Sequence, residues 1–372
     1  MKVKKLMAIV ASTALCATMF ASCGSTSSSS TAESKAAGGD TSTAAESTAE
    51  GESKAEAESK AEEESKPEDN GGGNGGSGEK IKVGIINNDP NESGYRTAND
   101  KDLKATFNED NGFDAQFYYS LKNDEQITAA QKFIQDEVDY LLLSAADTAG
   151  WDSVLKDAQN AGVKVILFDR TIDADPSLYE ASIVSDMAKE GQTAVDWLKG
   201  QNLDKYKVIH IQGVMGSAAQ KGRSGALTEA AEAEPDKWEI VSEQTAEWNA
   251  EKAQQIVQAA IDGNKEFNVI YAENDDMAKG AVAALDKANI SHGVGKDVIV
   301  MGFDCNMWAL EELLKKNWNY DGQCNPFQAS YIDEIIKNLE NGKKPANKVV
   351  IMEEKGFDAE TITQADVDQY GI

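Results

Sequence analysis

The sequence predicts an α/β protein whose body forms two doubly wound lobes. From Ile81 onward, short apolar runs typical of buried strands alternate with amphipathic helical stretches, which indicates parallel sheets covered by helices on both faces. These runs are too numerous for one comfortable sheet. Polar side chains follow most of the runs, and in doubly wound sheets ligands bind beyond the carboxyl ends of the strands. The sequence therefore predicts a ligand site at the strand ends.

Residues 1–23 are predicted to be a secretory signal. Lys2, Lys4 and Lys5 precede an apolar stretch that is too short for a membrane span, and small residues follow it. The segment ends in "FASCG", which resembles the bacterial lipobox that directs cleavage before a cysteine and lipid attachment to it. The resemblance implies a lipid anchor on Cys23 and an extracytoplasmic protein held at the outer face of the cell membrane. The alternative is a plain signal peptide with an incidental cysteine.

Residues 24–79 are predicted to form a disordered acidic tether. The segment consists mainly of Ser, Thr, Ala, Glu, Lys and Gly, and the triplet "ESK" recurs at Glu52, Glu58 and Glu64. No side chain in it could anchor an apolar core, so the segment cannot offset the conformational entropy that ordering would remove.

The charge balance argues against a nucleic-acid partner. The chain carries 64 acidic and 36 basic residues, a net charge of −28. Nucleic-acid phosphates are bound by basic grooves, which this composition does not favour. We interpret the acidity mainly as an aid to solubility.

The predicted elements of the body follow one another regularly. In chain order the strands are "IKVGII", "AQFYYS", "VDYLLLS", "VKVILFD", "YKVIHIQG", "WEIVSEQ", "FNVIYAE" and "DVIVMGFD", with "DGQCNP" and "KVVIMEE" at the end. Stretches such as "WDSVLKDAQNAG" and "EKAQQIVQAAIDG" lie between them, with apolar residues at helical spacing and a closing glycine. The last two strands are available for crossing between the lobes.

Charged, amide and aromatic side chains cluster at the predicted strand ends. The candidate ligand-binding residues are Glu92, Tyr95, Arg96, Asp169, Arg170, Arg223, Trp248, Asn274, Asp304, Gln323 and Asn325. A sugar presents neighbouring hydroxyls that Asp, Asn and Arg can bind, each hydrogen bond to a charged partner contributing about 1.5 to 3 kcal/mol. Its apolar faces can stack on Tyr or Trp. The set therefore favours a sugar as the ligand.

One strand runs directly into three polar residues, Asn274, Asp275 and Asp276. We interpret the two acids as the N-cap and a first-turn residue of a helix, where negative charge favours the helix dipole. We interpret Asn274 as a side chain whose hydrogen-bonding groups are satisfied by a ligand.

The body contains two cysteines, Cys305 and Cys324. A pair of cysteines in an exported protein is compatible with a disulfide and equally with two free thiols in a compact core. Because their separation in space is not readable from the sequence, both alternatives stay open.

Three stretches of the body carry a resemblance to a known family. They are "EVDYLLLSAADTAGWDSVLKDAQNAGVKVILFDR", "YAENDDMAKGA" and "GFD", in that order. Together they resemble the sugar-binding components of ABC importers of the ribose and galactose class, most closely the galactofuranose-binding branch. The resemblance runs from about Ile81 to the C-terminus. It implies the type 1 periplasmic-binding-protein fold, in which two Rossmann-like lobes joined by a three-strand hinge close on a sugar.

The resemblance also implies boundaries and roles. The N-terminal lobe would comprise residues 80–184 with 325–351, and the C-terminal lobe residues 185–324 with 352–372. In the first lobe, the resemblance implies sugar contacts from Glu92, Tyr95 and Arg96, and a pair, Asp169 and Arg170, that binds ring hydroxyls. In the second lobe it implies contacts from Arg223, from Trp248, which would stack on the sugar, and from Asn274 and Asp304 at the ends of their strands.

One position departs from the ribose-binding pattern. Where ribose binders carry a glutamine two residues before a proline, this chain has Cys324, flanked by Gln323 and Asn325. The departure argues against ribose itself as the ligand.

Signals of an enzyme or of a metal site are weak. His210 lies in a predicted strand and His292 in a glycine-rich turn, and neither adjoins an obvious nucleophile. The run "GVMGSAAQKGRS" lacks the Gly-Lys-Ser/Thr ending of a phosphate loop. Neither the Cys/His spacing of a zinc site nor the acidic pattern of a calcium loop occurs. The sequence therefore predicts no enzyme, no cofactor and no metal.

The resulting expectation is a monomeric, lipid-anchored receptor that captures a monosaccharide and delivers it to the permease subunits of an ABC importer. The alternative is a receptor of the same fold that passes the signal to a membrane sensor kinase. A regulator of the lac-repressor type shares the fold, but it would need a helix-turn-helix and a basic surface where this chain has a signal segment and an acidic tail.

Overall fold

The structure is a computed structural model that describes residues 80–372. The predicted signal segment, the tether and Cys23 lie outside the described residues. Within the described part of the chain, no helix combines the length and apolar character needed to cross a membrane.

The body contains parallel strands alternating with helices. The strands are β1 (Ile81–Asn87), β2 (Phe113–Tyr119), β3 (Tyr140–Leu143), β4 (Lys164–Asp169), β5 (Ala181–Val184), β6 (Tyr206–Gln212), β7 (Trp238–Thr245), β8 (Val269–Ala272), β9 (Ile299–Asp304), β10 (Tyr320–Gln323), β11 (Val349–Ile351) and β12 (Gly356–Asp358). The α-helices are α1 (Gly94–Thr106), α2 (Asn123–Gln135), α3 (Asp152–Ala161), α4 (Met187–Gly200), α5 (Ala218–Ala233), α6 (Ala250–Asp262), α7 (Asp275–Lys287), α8 (Met307–Leu314), α9 (Ala329–Glu340) and α10 (Gln364–Tyr370). Two short 3-10 helices span Glu109–Asn111 and Pro176–Leu178.

The strands form two six-stranded sheets of matching topology. The first sheet has the order β11-β5-β4-β3-β1-β2 and the second β12-β10-β9-β8-β6-β7. All neighbours are parallel except β10 and β12, which pair antiparallel. In each sheet the strand order reverses beside the first strand of the lobe, which places a switch point between β1 and β3 and another between β6 and β8. The predicted fold of two doubly wound lobes is confirmed.

The chain crosses between the two sheets three times. It leaves the first sheet after β5, returns after β10 and leaves again after β11. We call these crossing segments, residues 185–190, 324–328 and 352–355, the hinge. Because all three segments run side by side between the sheets, a change in lobe arrangement must pass through their backbone dihedrals.

Both faces of the first sheet are buried, as the nearly continuous apolar runs predict. Leu142 and Phe168 pack in one apolar core, while Leu141, Leu143 and Leu167 pack in another on the opposite face. The period-two alternation of the strands divides each run between the two cores. Both cores thus contribute to burying the central strands of the sheet.

Cys305 and Cys324 are both buried free thiols. Of the two alternatives that the sequence leaves open, the structure has the unbonded one.

Candidate functional site

A cavity of about 290 Å³ lies between the lobes, at the carboxyl ends of the strands. We call it the interlobe cavity. Its lining residues are Glu92, Ser93, Tyr95, Arg96, Asp169, Arg170, Met187, Ala219, Arg223, Trp248, Asn274, Asp304 and Cys324. Its charged, amide and aromatic lining side chains suit a small polar molecule.

All of the candidate ligand-binding residues line this cavity except Gln323 and Asn325. Gln323 belongs to β10 and lines a separate cleft together with Glu354 and Lys355. The backbone N–H of Asn325 donates to Glu354 Oε1 at 2.7 Å, and its side-chain oxygen accepts from the backbone N–H of Phe327 at 2.9 Å. Asn325 thus lies in the hinge, and Gln323 ends the strand that leads into it. The sequence alone does not locate this crossing segment.

Four lining residues were not among the candidates: Ser93, Met187, Ala219 and Cys324. Ser93 is the N-cap of α1, and its hydroxyl accepts from the backbone N–H of Arg96 at 3.2 Å. Its position before a helix, a common capping signal, could have identified it. Met187 and Ala219 are apolar and carry no such signal, whereas Cys324 appears in the sequence only as a departure from the ribose pattern.

Asp169 is the centre of a buried hydrogen-bond network. Arg96 Nη2 and Ser144 Oγ donate to its Oδ2 at 2.8 and 2.7 Å, and Tyr95 Oη donates to its Oδ1 at 2.9 Å. Burial alone would raise the pKa of Asp169, but the neighbouring Arg96 and Arg170 outweigh it and hold this pKa below its ordinary value. Asp169 is therefore an anion that the first lobe already satisfies with three donors.

Arg170 and Glu92 are left with unsatisfied polar atoms. Arg170 Nη2 lies 3.7 Å from Glu92 Oε1, an ion pair too long for a hydrogen bond. Arg170 Nε and Glu92 Oε2 are buried and have no hydrogen-bond partner in the described chain. Burial raises the pKa of Glu92 although Arg96 and Arg170 act against the shift. Buried polar groups normally have partners, so these two atoms are exceptions within the cavity wall.

Arg223 organises the second-lobe wall. Its Nε donates to Glu190 Oε2 at 2.8 Å, its Nη1 donates to the Glu273 carbonyl at 2.5 Å, and its Nη2 lies 3.4 Å from Asp304 Oδ1. Burial raises the pKa of Asp304 well above its ordinary value, and the charge of Arg223 offsets this only in part. A protonated Asp304 carboxyl can both donate and accept, which suits a hydroxyl ligand.

Asn274 is the N-cap of α7, so the interpretation of Asp275 as the cap is wrong. Asn274 Oδ1 accepts from the backbone N–H of Met277 at 2.9 Å, and its extended backbone is typical of a cap. Asp275 instead accepts from the backbone and the side chain of Asn306, while Asp276 Oδ2 accepts from the backbone N–H of Gly94 in the first lobe at 3.0 Å. The helix satisfies the oxygen of Asn274, and only its amide nitrogen is left for a ligand.

Three residues that line the cavity have left-handed backbone conformations. Asp169, Trp248 and Asp304 have φ angles of 63°, 65° and 111°, a region that non-glycine residues rarely adopt. Each such residue costs on the order of 1 to 3 kcal/mol and persists where the surroundings fix it.

The indole of Trp248 packs directly against the backbone of Gly213. A Cβ atom at Gly213 would lie 1.8 Å from Trp248 Cη2, so only glycine permits this ring position. The guanidinium of Arg170 lies 5.9 Å from the centre of the indole ring, within cation–π range. Trp248 thus places an aromatic surface beside the arginine at the cavity wall.

Comparison with known proteins gives a consistent result. Residues 83–344 match the family model described as "Periplasmic binding protein domain". The fructose import binding protein of Bifidobacterium longum is 31% identical over 304 residues, 80% of this chain and 90% of that protein. The galactofuranose-binding protein of Escherichia coli is 31% identical over 188 residues, 49% of this chain and 58% of that protein.

A solved structure extends the likeness to the fold. It is the binding protein of an arabinose ABC transporter from Shewanella sp. ANA-3, bound to α- and β-L-arabinofuranose, with a TM-score of 0.70 and 26% identity. The match covers 78% of this chain and 95% of that one. The relatives are solute-binding proteins and not enzymes, as the sequence predicted, and the resemblance to sugar-binding proteins is confirmed.

Proposed function

The chain belongs to the periplasmic binding protein family, and from that premise we propose that it captures a monosaccharide between its lobes outside the cytoplasm and delivers it to an ABC importer. The observation that carries the proposal is the lining of the interlobe cavity. Its wall combines the unpartnered polar atoms of Glu92 and Arg170 with the indole of Trp248.

A furanose ring is the form that we favour. The relatives are named for galactofuranose and for fructose import, and the solved structure holds arabinofuranose. The substitution of Cys324 for the glutamine of ribose binders also favours a sugar other than ribose. In this proposal Asp169 holds the first-lobe wall, and the free hydrogen-bonding groups of Arg170, Glu92 and Asn274 bind the ring hydroxyls.

Lobe closure is the proposed mechanism. The sugar contacts both lobes at once, so it binds the closed arrangement more tightly than the open one and shifts the population towards closure. The permease then recognises the closed form. A lipid on Cys23 would keep the monomeric receptor at the outer face of the membrane, with residues 24–79 as a tether between anchor and body.

The test is a binding screen of the full chain by thermal shift and calorimetry. The ligands are fructose, galactose, arabinose and ribose, together with methyl furanosides and methyl pyranosides of the first three, which are locked in ring form. A ligand that binds only the native state stabilises it by about 2.7 kcal/mol at a hundredfold excess over Kd. We expect the furanosides to raise the melting temperature more than the pyranosides. Absence of a shift with every monosaccharide would overturn the proposal.

Delivery is tested separately from binding. Deletion of the gene should abolish uptake of the bound sugar in radiolabelled form, and a copy carrying Cys23→Ala should release the protein into the medium. Intact uptake combined with loss of sugar-induced transcription would instead support a receptor that feeds a sensor kinase.

A further inference from the structure

Three side chains with metal-binding atoms meet in the hinge. Glu190 lies in the first turn of α4, at the end of the first crossing segment. Cys324 begins the second crossing segment, and Glu354 belongs to the third. One ligand atom from each lies within 4.8 Å of the ligand atoms of the other two. Each of the three crossing segments therefore contributes one potential ligand.

Glu190 has an oxygen that the protein leaves without a partner. Its side chain is 3% exposed, and its Oε2 is paired with Arg223. Its Oε1 is buried and has no hydrogen-bond partner in the described chain. The carboxyl group also lies against Cys324 and Glu354, whose protons are the donors available to it. A cation at this place would replace those protons as the partner of the oxygen.

Glu354 is oriented by groups outside the cluster. Ser185 Oγ and the backbone N–H of Asn325 donate to its Oε1 at 2.6 and 2.7 Å. Ser185 Oγ also lies 3.6 Å from Cys324 Sγ. Such hydrogen bonds to ligating carboxylates are typical of metal sites, where they fix the ligand geometry.

In their ionised forms the three groups would carry more negative charge than their neighbours balance. Two carboxyl groups and a thiol meet, and Arg223 is the cation beside them. A divalent ion would supply positive charge in place of their protons and bind the deprotonated ligands.

We propose that the hinge binds a divalent ion of the zinc class through Glu190, Cys324 and Glu354. A thiolate with two carboxylates suits Zn²⁺, with a water in the fourth position, and does not suit Ca²⁺ or Mg²⁺, which take oxygen ligands. The bound ion ties the three crossings together and so restrains the lobes. Because Cys324 also lines the interlobe cavity, the ion lies next to the ligand site.

The spacing of these residues explains why sequence patterns do not reveal the site. Zinc motifs are recognised by ligands a few residues apart, whereas these three are brought together from separate crossings of the chain. Neither histidine takes part.

The experiment measures zinc and cadmium bound to the full chain without sugar. The protein is stripped with chelator, equilibrated with ZnCl₂ in excess Mg²⁺ to displace ions from surface acids, dialysed, and its zinc counted by mass spectrometry. We expect one ion per chain. X-ray absorption of the zinc form should show one sulfur at about 2.3 Å and oxygens at about 2.0 to 2.2 Å. With Cd²⁺, a thiolate charge-transfer band should appear in the ultraviolet.

Cys324→Ala should weaken zinc binding at least tenfold and abolish the cadmium band, and Glu354→Gln should weaken binding similarly. Cys305→Ala is the matched control, since Cys305 is a second buried thiol with carboxylates nearby, and it should retain both signals. A wild-type chain that binds no zinc, a zinc spectrum without sulfur, or equal binding by Cys324→Ala would each overturn the proposal. Because no sugar is present, these outcomes do not depend on the proposed transport function.

Discussion

Arg96 Nη2 lies 2.8 Å from Asp169 Oδ2, and the two side chains are only 1% and 2% exposed. The first-lobe wall of the interlobe cavity is thus a buried ion pair rather than a pair of free ligand-binding groups. Breaking such a pair leaves one charge buried without compensation, whereas breaking an exposed pair leaves the remaining charge in water. Asp169 therefore contributes to the fold of the lobe as well as to the site.

Asp169→Asn should lower the free energy of unfolding by about 3 to 5 kcal/mol, because Arg96 loses its counter-charge in a buried place. Asparagine also tolerates the positive φ of this position, so the change isolates the charge. Urea unfolding without sugar measures the effect. Glu239→Gln, which breaks the exposed pair with Lys205, is the control and should change the value little. Equal effects of the two substitutions would contradict this account.

Asn274→Asp should separate binding from capping. Aspartate caps a helix as well as asparagine does, so any fall in melting temperature without sugar reports the cost of a carboxyl group at this buried position and not a lost cap. The substitution removes the amide donor proposed to bind the ligand, and we expect sugar affinity to fall tenfold or more, about 1.4 kcal/mol. Calorimetry with the sugar found in the screen measures it. Asn249→Asp makes the same change at the N-cap of α6 and should leave affinity unaltered; a similar loss there would show that the effect is not local.

Gly213→Ala should displace the indole of Trp248 without altering any polar group. The new Cβ would lie 1.8 Å from Trp248 Cη2. Because the indole is rigid, the whole ring must move away. We expect sugar affinity to fall about tenfold and stability to fall by about 1 to 3 kcal/mol from overpacking. Tryptophan fluorescence and calorimetry report the two effects. Gly225→Ala in α5, where a Cβ meets nothing within 4 Å, should bind normally; unchanged affinity in Gly213→Ala would remove Trp248 from the site.

Lys221→Met should open the lobes slightly. Lys221 in the second lobe donates to Thr148 and lies 3.4 Å from Asp173, both in the first lobe. This link is partly exposed, so it contributes roughly 0.2 to 1 kcal/mol to closure. We expect at most about a fivefold loss of sugar affinity, expressed mainly as faster release, in stopped-flow measurements. Lys237→Met, which breaks a contact with Glu234 within one lobe, should release the sugar at the wild-type rate. A loss above a hundredfold would mean that Lys221 contacts the ligand.

Stability should fall as pH rises from about 6.5 to about 9. Burial alone would lower the pKa of His210, but hydrogen bonds to Glu243 and Glu273 raise it from 6.5 to about 9. The folded state therefore holds a proton more tightly than the unfolded state. The stabilisation that comes from protonated His210 is complete below about pH 6.5 and is lost as the pH passes about 9. This stabilisation is on the order of 3 kcal/mol, at 1.36 kcal/mol per pKa unit.

Urea unfolding at pH 6.5 and pH 9 measures this change. Glu243→Gln removes the negative charge of one of the two carboxylates that contact His210 and should reduce the difference in stability between the two pH values. Glu239→Gln lies on the same strand but pairs with Lys205, and it should behave as the wild type does. A Glu243→Gln chain with an undiminished difference would exclude His210 as the source.

Much of the candidate site follows from the strand pattern. The polar side chains that come directly after apolar runs, such as Asp169, Asn274 and Asp304, do line one cavity. They were identifiable because the carboxyl ends of parallel strands share one edge of a sheet, so residues distant in the chain must meet there. Gln323 and Asn325 were placed with them because the sequence does not reveal where a crossing segment turns away.

The pairing of the polar groups was not predictable in the same way. The family resemblance implied that Asp169 and Arg170 act as a pair, and Arg170 Nε does lie 3.5 Å from Asp169 Oδ2. The hydrogen bonds of Asp169, however, come from Arg96, Ser144 and Tyr95. Similarly, Asn274 rather than Asp275 caps α7. Such partners depend on distances of a fraction of an ångström between separate elements, and a residue pattern does not contain those distances.

The sequence by itself determined the fold class and the order of the elements, because hydrophobic periodicity and strand-end polarity act locally along the chain. Its motifs carried the resemblance to the family. Only the tertiary structure decided which charges are neutralised, which polar atoms are left for a ligand, and that Cys305 and Cys324 are unbonded. It alone brought Glu190, Cys324 and Glu354 together. The physical reason is that burial, charge pairing and metal coordination depend on distances between segments, which arise only when the three crossings and two sheets pack together.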